Sequence, residues 1–266
     1  MKHQITKIFT ALAATVALLS SCSNIAEDER LIYVEPAKAA RNVLIEDFTG
    51  QRCVNCPEAS RSIKAIKEVY GDAVIPVAIH CGPYGFAGNA NTVGLMTETG
   101  KEYWDNWFES TQGQPVAKIN RGEANNDYMN WSSLVAKAME QETDVQISAT
   151  ATYDSNSRQV DINTTTLAPA GKKAKLQLWI TEDDIVALQL DGSTTVRDYV
   201  HEHVFRAAVN GTWGEDIVYG SDILTKHHTI TLADNWVPEH CNIVIFVYSD
   251  NGVDQVISIP AVNNAE

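Results

Sequence analysis

The chain has 266 residues and a formal net charge of −14, from 20 Lys and Arg against 34 Asp and Glu. With 44% hydrophobic and 20% charged residues it has the composition of a globular protein, long enough for one large domain or two ordinary ones. The acidic balance, without any basic aromatic stripe, argues against a nucleic-acid partner, and no internal apolar run reaches the roughly 18 residues of a membrane-spanning helix.

Lys2, His3 and Lys7 form a positive leader, followed by an apolar run of 12 residues from Ile8 to Leu19. That is the length of a signal-peptide core. It runs into Leu19-Ser20-Ser21-Cys22, which resembles the box of bacterial lipoproteins. On that pattern residues 1–21 are removed and Cys22 is acylated, giving an anchor of two or more chains at about 0.8 kcal/mol per buried CH₂. An ordinary secretory signal is the alternative. Residues 22–41 read as a tether, acidic at Glu27, Asp28 and Glu29, with a short edge strand over Leu31–Val34. The expected address is the outer membrane, by lipid anchor, with either face open.

From residue 42 to 142 strand and helix patterns alternate. Asn42–Phe48 is a strand-length apolar run, and Glu58–Tyr70 carries Ala59, Ile63, Ile66 and Tyr70 at helical spacing before Gly71. Val74–His80 reads as a buried strand in which Pro76 needs an unpaired position. Cys81–Gly100 reads as a long loop, Glu102–Ser110 as an aromatic helix, Val116–Asn120 as a strand and Tyr128–Gln141 as a helix.

From residue 143 to 266 the period changes to two. Val145–Tyr153, Val160–Thr166, Leu176–Ile180, Thr229–Leu232, Ile243–Tyr248 and Val256–Ile259 read as short strands separated by turn signals such as Asn251-Gly252. Such a run predicts an antiparallel sandwich of immunoglobulin-like type.

The motif richest in chemistry is Gly50-Gln51-Arg52-Cys53-Val54-Asn55-Cys56-Pro57, between a predicted strand and a predicted helix. The N-terminal end of a helix carries about half a positive charge and favours a thiolate there. Cys53 reads as the exposed nucleophile, with Arg52 adding charge beside it, and Cys56 as the resolving thiol. A half zinc site lacks its second ligand pair. A structural disulfide remains open, since the compartment is oxidising.

Val43 to Pro57 is similar to the first strand and active-site turn of the thioredoxin fold, and the resemblance extends to about Gln141. It implies that Asp47 moves a proton at the second cysteine and that Pro115, in Gln114-Pro115-Val116, is a cis-proline facing the dithiol. The chain departs from that pattern at Val54-Asn55 and in its nearly missing fourth strand. Glu46-Asp47-Phe48-Thr49-Gly50, the C-x-x-C turn and His201-Glu202-His203-Val204-Phe205-Arg206-Ala207-Ala208 together resemble the outer membrane protein 28-related lipoproteins. That resemblance implies an α/β thioredoxin-like domain (residues 42–142) followed by an all-β immunoglobulin-like sandwich (residues 143–266).

With Cys22 acylated, Cys81 and Cys241 are left over. Cys81, on the same strand edge as Cys53 and Cys56, reads as a third exchange thiol, as the partner of Cys241 in a second disulfide, or, like Cys241, as a buried small side chain. His201, His203, His227 and His228 lack a further ligand at metal spacing and read as structural or surface residues. No cofactor motif is present. The expected function is a lipid-anchored thiol–disulfide oxidoreductase acting on cell-envelope proteins, with Cys53, Cys56, Pro115 and Asp47 in its site. The alternative is a non-enzymatic outer-membrane lipoprotein that binds a protein or glycan, with Cys53–Cys56 a structural disulfide.

Overall fold

The structure, a computed structural model, describes residues 39–109 and 112–262. The leader, Cys22 and the strand expected over 31–34 lie outside those residues. In chain order the elements are β1 (Ala39–Ala40), β2 (Val43–Thr49), α1 (Cys56–Tyr70), β3 (Val74–His80), α2 (Glu98–Trp107), β4 (Val116–Ile119), β5 (Ala124–Asn125), α3 (Trp131–Met139) and β6 (Glu142–Thr143). Then come β7 (Gln146–Asp154), β8 (Gln159–Leu167), β9 (Lys173–Glu182), β10 (Ile185–Asp191), β11 (Thr194–His201), β12 (Val204–Ala208), β13 (Glu215–Val218), β14 (Leu224–Thr231), β15 (Cys241–Ser249) and β16 (Gly252–Pro260).

Local chemistry accounts for the individual elements. Pro57 occupies the first turn of α1, where its missing N–H costs no hydrogen bond, and Gly71 ends the helix at φ 57. α2 starts earlier than the aromatic pattern suggests, because the Thr97 hydroxyl caps it by accepting from the Gly100 N–H at 3.0 Å. β2 is buried along its whole length and alternates between two cores. Val43 and Ile45 pack with Ile63 and Ile66 of α1 and Trp131 of α3. Leu44 and Phe48 face the other side, with Tyr103 and Trp104 of α2.

The expected fold class does not hold. The chain does not form an α/β thioredoxin-like domain followed by an immunoglobulin-like sandwich. One mixed sheet of nine strands, in the order β16-β15-β9-β12-β3-β2-β4-β5 with β13 on β9, runs through both parts of the sequence. The junction is β12, which pairs in parallel with β3 at Val204 and Ala78 and antiparallel with β9. The Ala78 N–H donates to the His203 carbonyl at 2.8 Å. Pro76, two residues earlier, points its missing donor the same way, beyond the start of β12, so the strand tolerates it.

One core proves the continuity. Leu44, Phe48, Ile75, Val77 and Tyr103 share a buried cluster with Trp179, Phe205, Val244 and Phe246. The other faces of β9 and β15, through Leu178, Ile180, Ile243 and Ile245, pack against Val160 and Ile162 of the three-stranded sheet β14-β8-β7. β9 and β15 are therefore covered on both faces. The physical reason for the correction is an edge. Without β12 the strands β3-β2-β4-β5 would leave the largely buried β3 with an unpaired side, and β12 fills it.

Candidate functional site

The C-x-x-C turn closes β2 onto α1. Cys53 and Cys56 are disulfide-bonded, with Cα atoms 5.4 Å apart. Cys53 is 2% exposed and Cys56 1%, so the expected solvent-facing nucleophile is enclosed. Arg52 does not reinforce it, because its guanidinium stacks on the Phe86 ring at 4.5 Å.

Two segments enclose the turn. The loop after β3 comes so close that a side chain on Gly50 would meet the Tyr84 carbonyl at 2.4 Å, and the Arg52 N–H donates to Tyr84 O at 3.1 Å. The β10–β11 hairpin, from the distant half of the sequence, lies across the other side. Leu190 N–H donates to Gln51 O at 2.9 Å, and Gly192 N–H to Val54 O at 2.9 Å. The Gln189 side-chain amide donates to Cys53 O at 3.0 Å and to Gly50 O at 3.3 Å. Gln51, itself buried, donates to Val93 O and Leu188 O, both at 3.0 Å, and accepts from Leu95 N–H at 2.9 Å. Its one amide ties loop, turn and hairpin together.

Neither glutamine belonged to the sequence-derived site. The hairpin, however, had a signal. Asp191-Gly192 follows the run Ile185–Leu190, apolar except for Gln189, and Asp-Gly between strand-like runs marks a hairpin. Gly192 takes φ 55 in that turn.

Asp47 is 1% exposed in the middle of β2, and burial pushes its carboxyl up to about 7. The Gln114–Pro115 peptide bond is cis. Gln114 donates to Thr49 O at 2.8 Å and Cys81 O at 3.1 Å, which fixes the strand ends beside the turn. Cys81 and Cys241 do not form the second disulfide. Both are free and buried, in cores on different sides of the sheet. Burial pushes the Cys81 thiol well up and that of Cys241 to about 12, so both are held as thiols.

The histidines separate. His203 lies at φ 56 between β11 and β12 and pairs with Asp183 at 2.9 Å. His227 and His228 pair with Asp161 and Glu215. His201 instead turns inward at the end of β11, its ring centroid 5.2 Å from that of His80. Burial holds His80 well below the usual histidine range and lowers His201 to about 4, so both rings are neutral at pH 7. Among the described residues no three His, Cys, Asp or Glu side chains converge as a metal site would require. Asp47, Cys56, His80 and His201 line one cavity of about 560 Å³, bounded by α1, β3 and the hairpin.

Fold and site define a β-rich protein whose C-x-x-C disulfide is covered by its own hairpin and backs onto a cavity that opens to solvent. The chain belongs to the outer membrane protein Omp28 family, which matches residues 101–264. The match takes in the hairpin and β12 and leaves out the C-x-x-C turn. No curated protein matches the sequence. Among solved structures, HBP35 of Porphyromonas gingivalis is similar over 85% of this chain and 77% of its own, with a TM-score of 0.65 and 14% identity. Protein AGR_C_4864 from Agrobacterium tumefaciens is similar over 86% of this chain and 98% of its own, with a TM-score of 0.53 and 14% identity. At that identity the likeness is one of fold.

Proposed function

We propose that this chain is a non-enzymatic outer-membrane binding protein, lipid-anchored through Cys22, in which Cys53–Cys56 is a structural clip. The observation that carries the reading is the burial of both cysteines, 2% and 1% exposed, under hydrogen bonds from Gln189, Leu190 and Gly192. Disulfide exchange needs a thiolate to reach a sulfur, and here the protein's own backbone stands in the way. The family's outer-membrane character and the Leu19-Ser20-Ser21-Cys22 box support the anchor. Cys22→Ser is expected to release the chain from the membrane fraction.

The deciding measurement is the reduction potential of Cys53–Cys56 by equilibration with glutathione. A value below about −300 mV is expected for a clip, and one between roughly −120 and −270 mV overturns the reading.

One observation favours the second reading, an oxidoreductase acting on cell-envelope proteins. Asp47, with its carboxyl near 7, lines the same cavity as Cys56 and is suited to take a proton from it. That chemistry requires the hairpin to lift. It predicts a mixed disulfide trapped on Cys53 in Cys56→Ser.

A further inference from the structure

We infer that the cavity between α1 and the β10–β11 hairpin is a binding site for a small molecule with an apolar body and hydroxyl or amine donors. The inference rests on the binding-protein reading and names the ligand class. At about 560 Å³ the cavity falls within the roughly 300–1,000 Å³ of small-molecule sites. Its walls are Ile63 of α1, Pro76 and Ala78 of β3, and Tyr199 and Val200 of β11.

Three polar side chains on this wall are each more than nine-tenths buried: Asp47 (1% exposed), His80 (3%) and His201 (5%). Each holds an atom without a hydrogen-bond partner, namely Asp47 Oδ1, His80 Nδ1 and His201 Nε2. A buried polar atom left unpaired is costly, and folded proteins rarely gather three around one hollow. A ligand that satisfies them recovers that cost on binding.

The donor pattern sets the ligand's polarity. The His201 ring bonds to the backbone at Ala187 and Leu188. A neutral ring bonded to carbonyls spends its one N–H there, which leaves Nε2 as an acceptor. Asp47, its carboxyl pushed up to about 7, accepts through Oδ1 once ionised, and His80 Nδ1 accepts or donates according to its tautomer. Above pH 7 the cavity therefore offers at least two buried acceptors, which call for donors on the ligand. Charge selects against anions. Both rings are neutral, Arg61 at the rim is held by Glu58 and Asp191, Lys67 Nζ donates to Val74 O at 3.3 Å, and the carboxylates of Asp47, Glu68 and Glu202 line the same cavity.

The test uses the full mature chain carrying Cys22→Ser, which needs no detergent, and three probes sharing one ring system. 2-Naphthol and 2-naphthylmethylamine carry donors, and 2-naphthoate is an anion. Calorimetric titration is expected to show one site for each donor probe and binding of 2-naphthoate at least about tenfold weaker. His201→Phe is expected to weaken 2-naphthol by about tenfold, the loss of one buried hydrogen bond. Lys64→Trp, at an exposed position on the α1 wall of the cavity, is expected to abolish one-site binding with little change in melting temperature. Absence of saturable binding, equal affinity for the anion, or indifference to Lys64→Trp overturns the inference. Glutathione equilibration of the same sample keeps the two ideas apart. A chain that resists glutathione and binds no probe loses only the ligand site, whereas one that binds 2-naphthol and exchanges readily loses only the static clip.

Discussion

The side-chain amide of Gln189 donates to the carbonyl oxygen of Cys53 at 3.0 Å across 136 residues of sequence. The same nitrogen reaches Gly50 O and Leu190 O at 3.3 and 2.9 Å. One buried amide thus pins the hairpin to the disulfide turn. Gln189→Leu removes all three bonds and leaves the Cys53 carbonyl unpaired, and is expected to cost about 1–3 kcal/mol in denaturant unfolding. Dithiothreitol is expected to reduce Cys53–Cys56 faster in this variant. An unchanged reduction rate means that the hairpin does not guard the disulfide.

Asp47 gives the protein a pH signature of definite sign. Its folded carboxyl titrates near 7 against an ordinary 3.8, so folding takes up a proton between those values. That contribution to stability is complete below about pH 4 and is lost as pH rises through 7. Asp47→Asn cannot ionise. Its gain over the parent is expected to be about 3 kcal/mol larger at pH 8 than at pH 5. His80 and His201 act in the opposite sense, since their lowered values remove stability as pH falls below 6.5. Unfolding free energies at the two pH values check the sign.

Glu46 and Arg121 form a buried pair at 3.2 Å, with side chains 0% and 6% exposed. The Arg121 guanidinium also lies 3.9 Å from the Tyr248 ring centroid and so joins β2 to β15. Arg121→Ala strands a carboxylate in the core and is expected to cost about 3–5 kcal/mol. Replacing both partners, as Glu46→Met with Arg121→Met, is expected to restore much of it. A single variant that loses less than 1 kcal/mol would show that the pair is already hydrated.

The sequence pattern changes between residues 142 and 143, so truncation after Asp144 tests whether the two parts fold apart. In the structure it removes β12 from the edge of β3 and takes Trp179, Phe205 and Phe246 out of a shared core. The fragment is expected to lack a cooperative thermal transition by circular dichroism. A sharp transition would mean that residues 39–144 hold a core of their own.

Local pattern carried much of this protein. The helix over Cys56–Tyr70, the strands Val43–Thr49 and Val74–His80 and most later strands follow from apolar periodicity, Pro57 and Gly71, because those signals act within a few residues. The motif at His201–Ala208, together with the Glu46–Gly50 run and the C-x-x-C turn, pointed to the family. Two things were decided only by tertiary structure. Strand pairing depends on which edges remain unsatisfied after collapse, and neither Val204 nor Ala78 carries a local mark of the other. The environment of Cys53 likewise depends on Gln189 and Leu190, which arrive on a hairpin from the far half of the chain. A C-x-x-C at a helix start states what two sulfurs are able to do, while burial under a distant strand pair determines whether a partner reaches them.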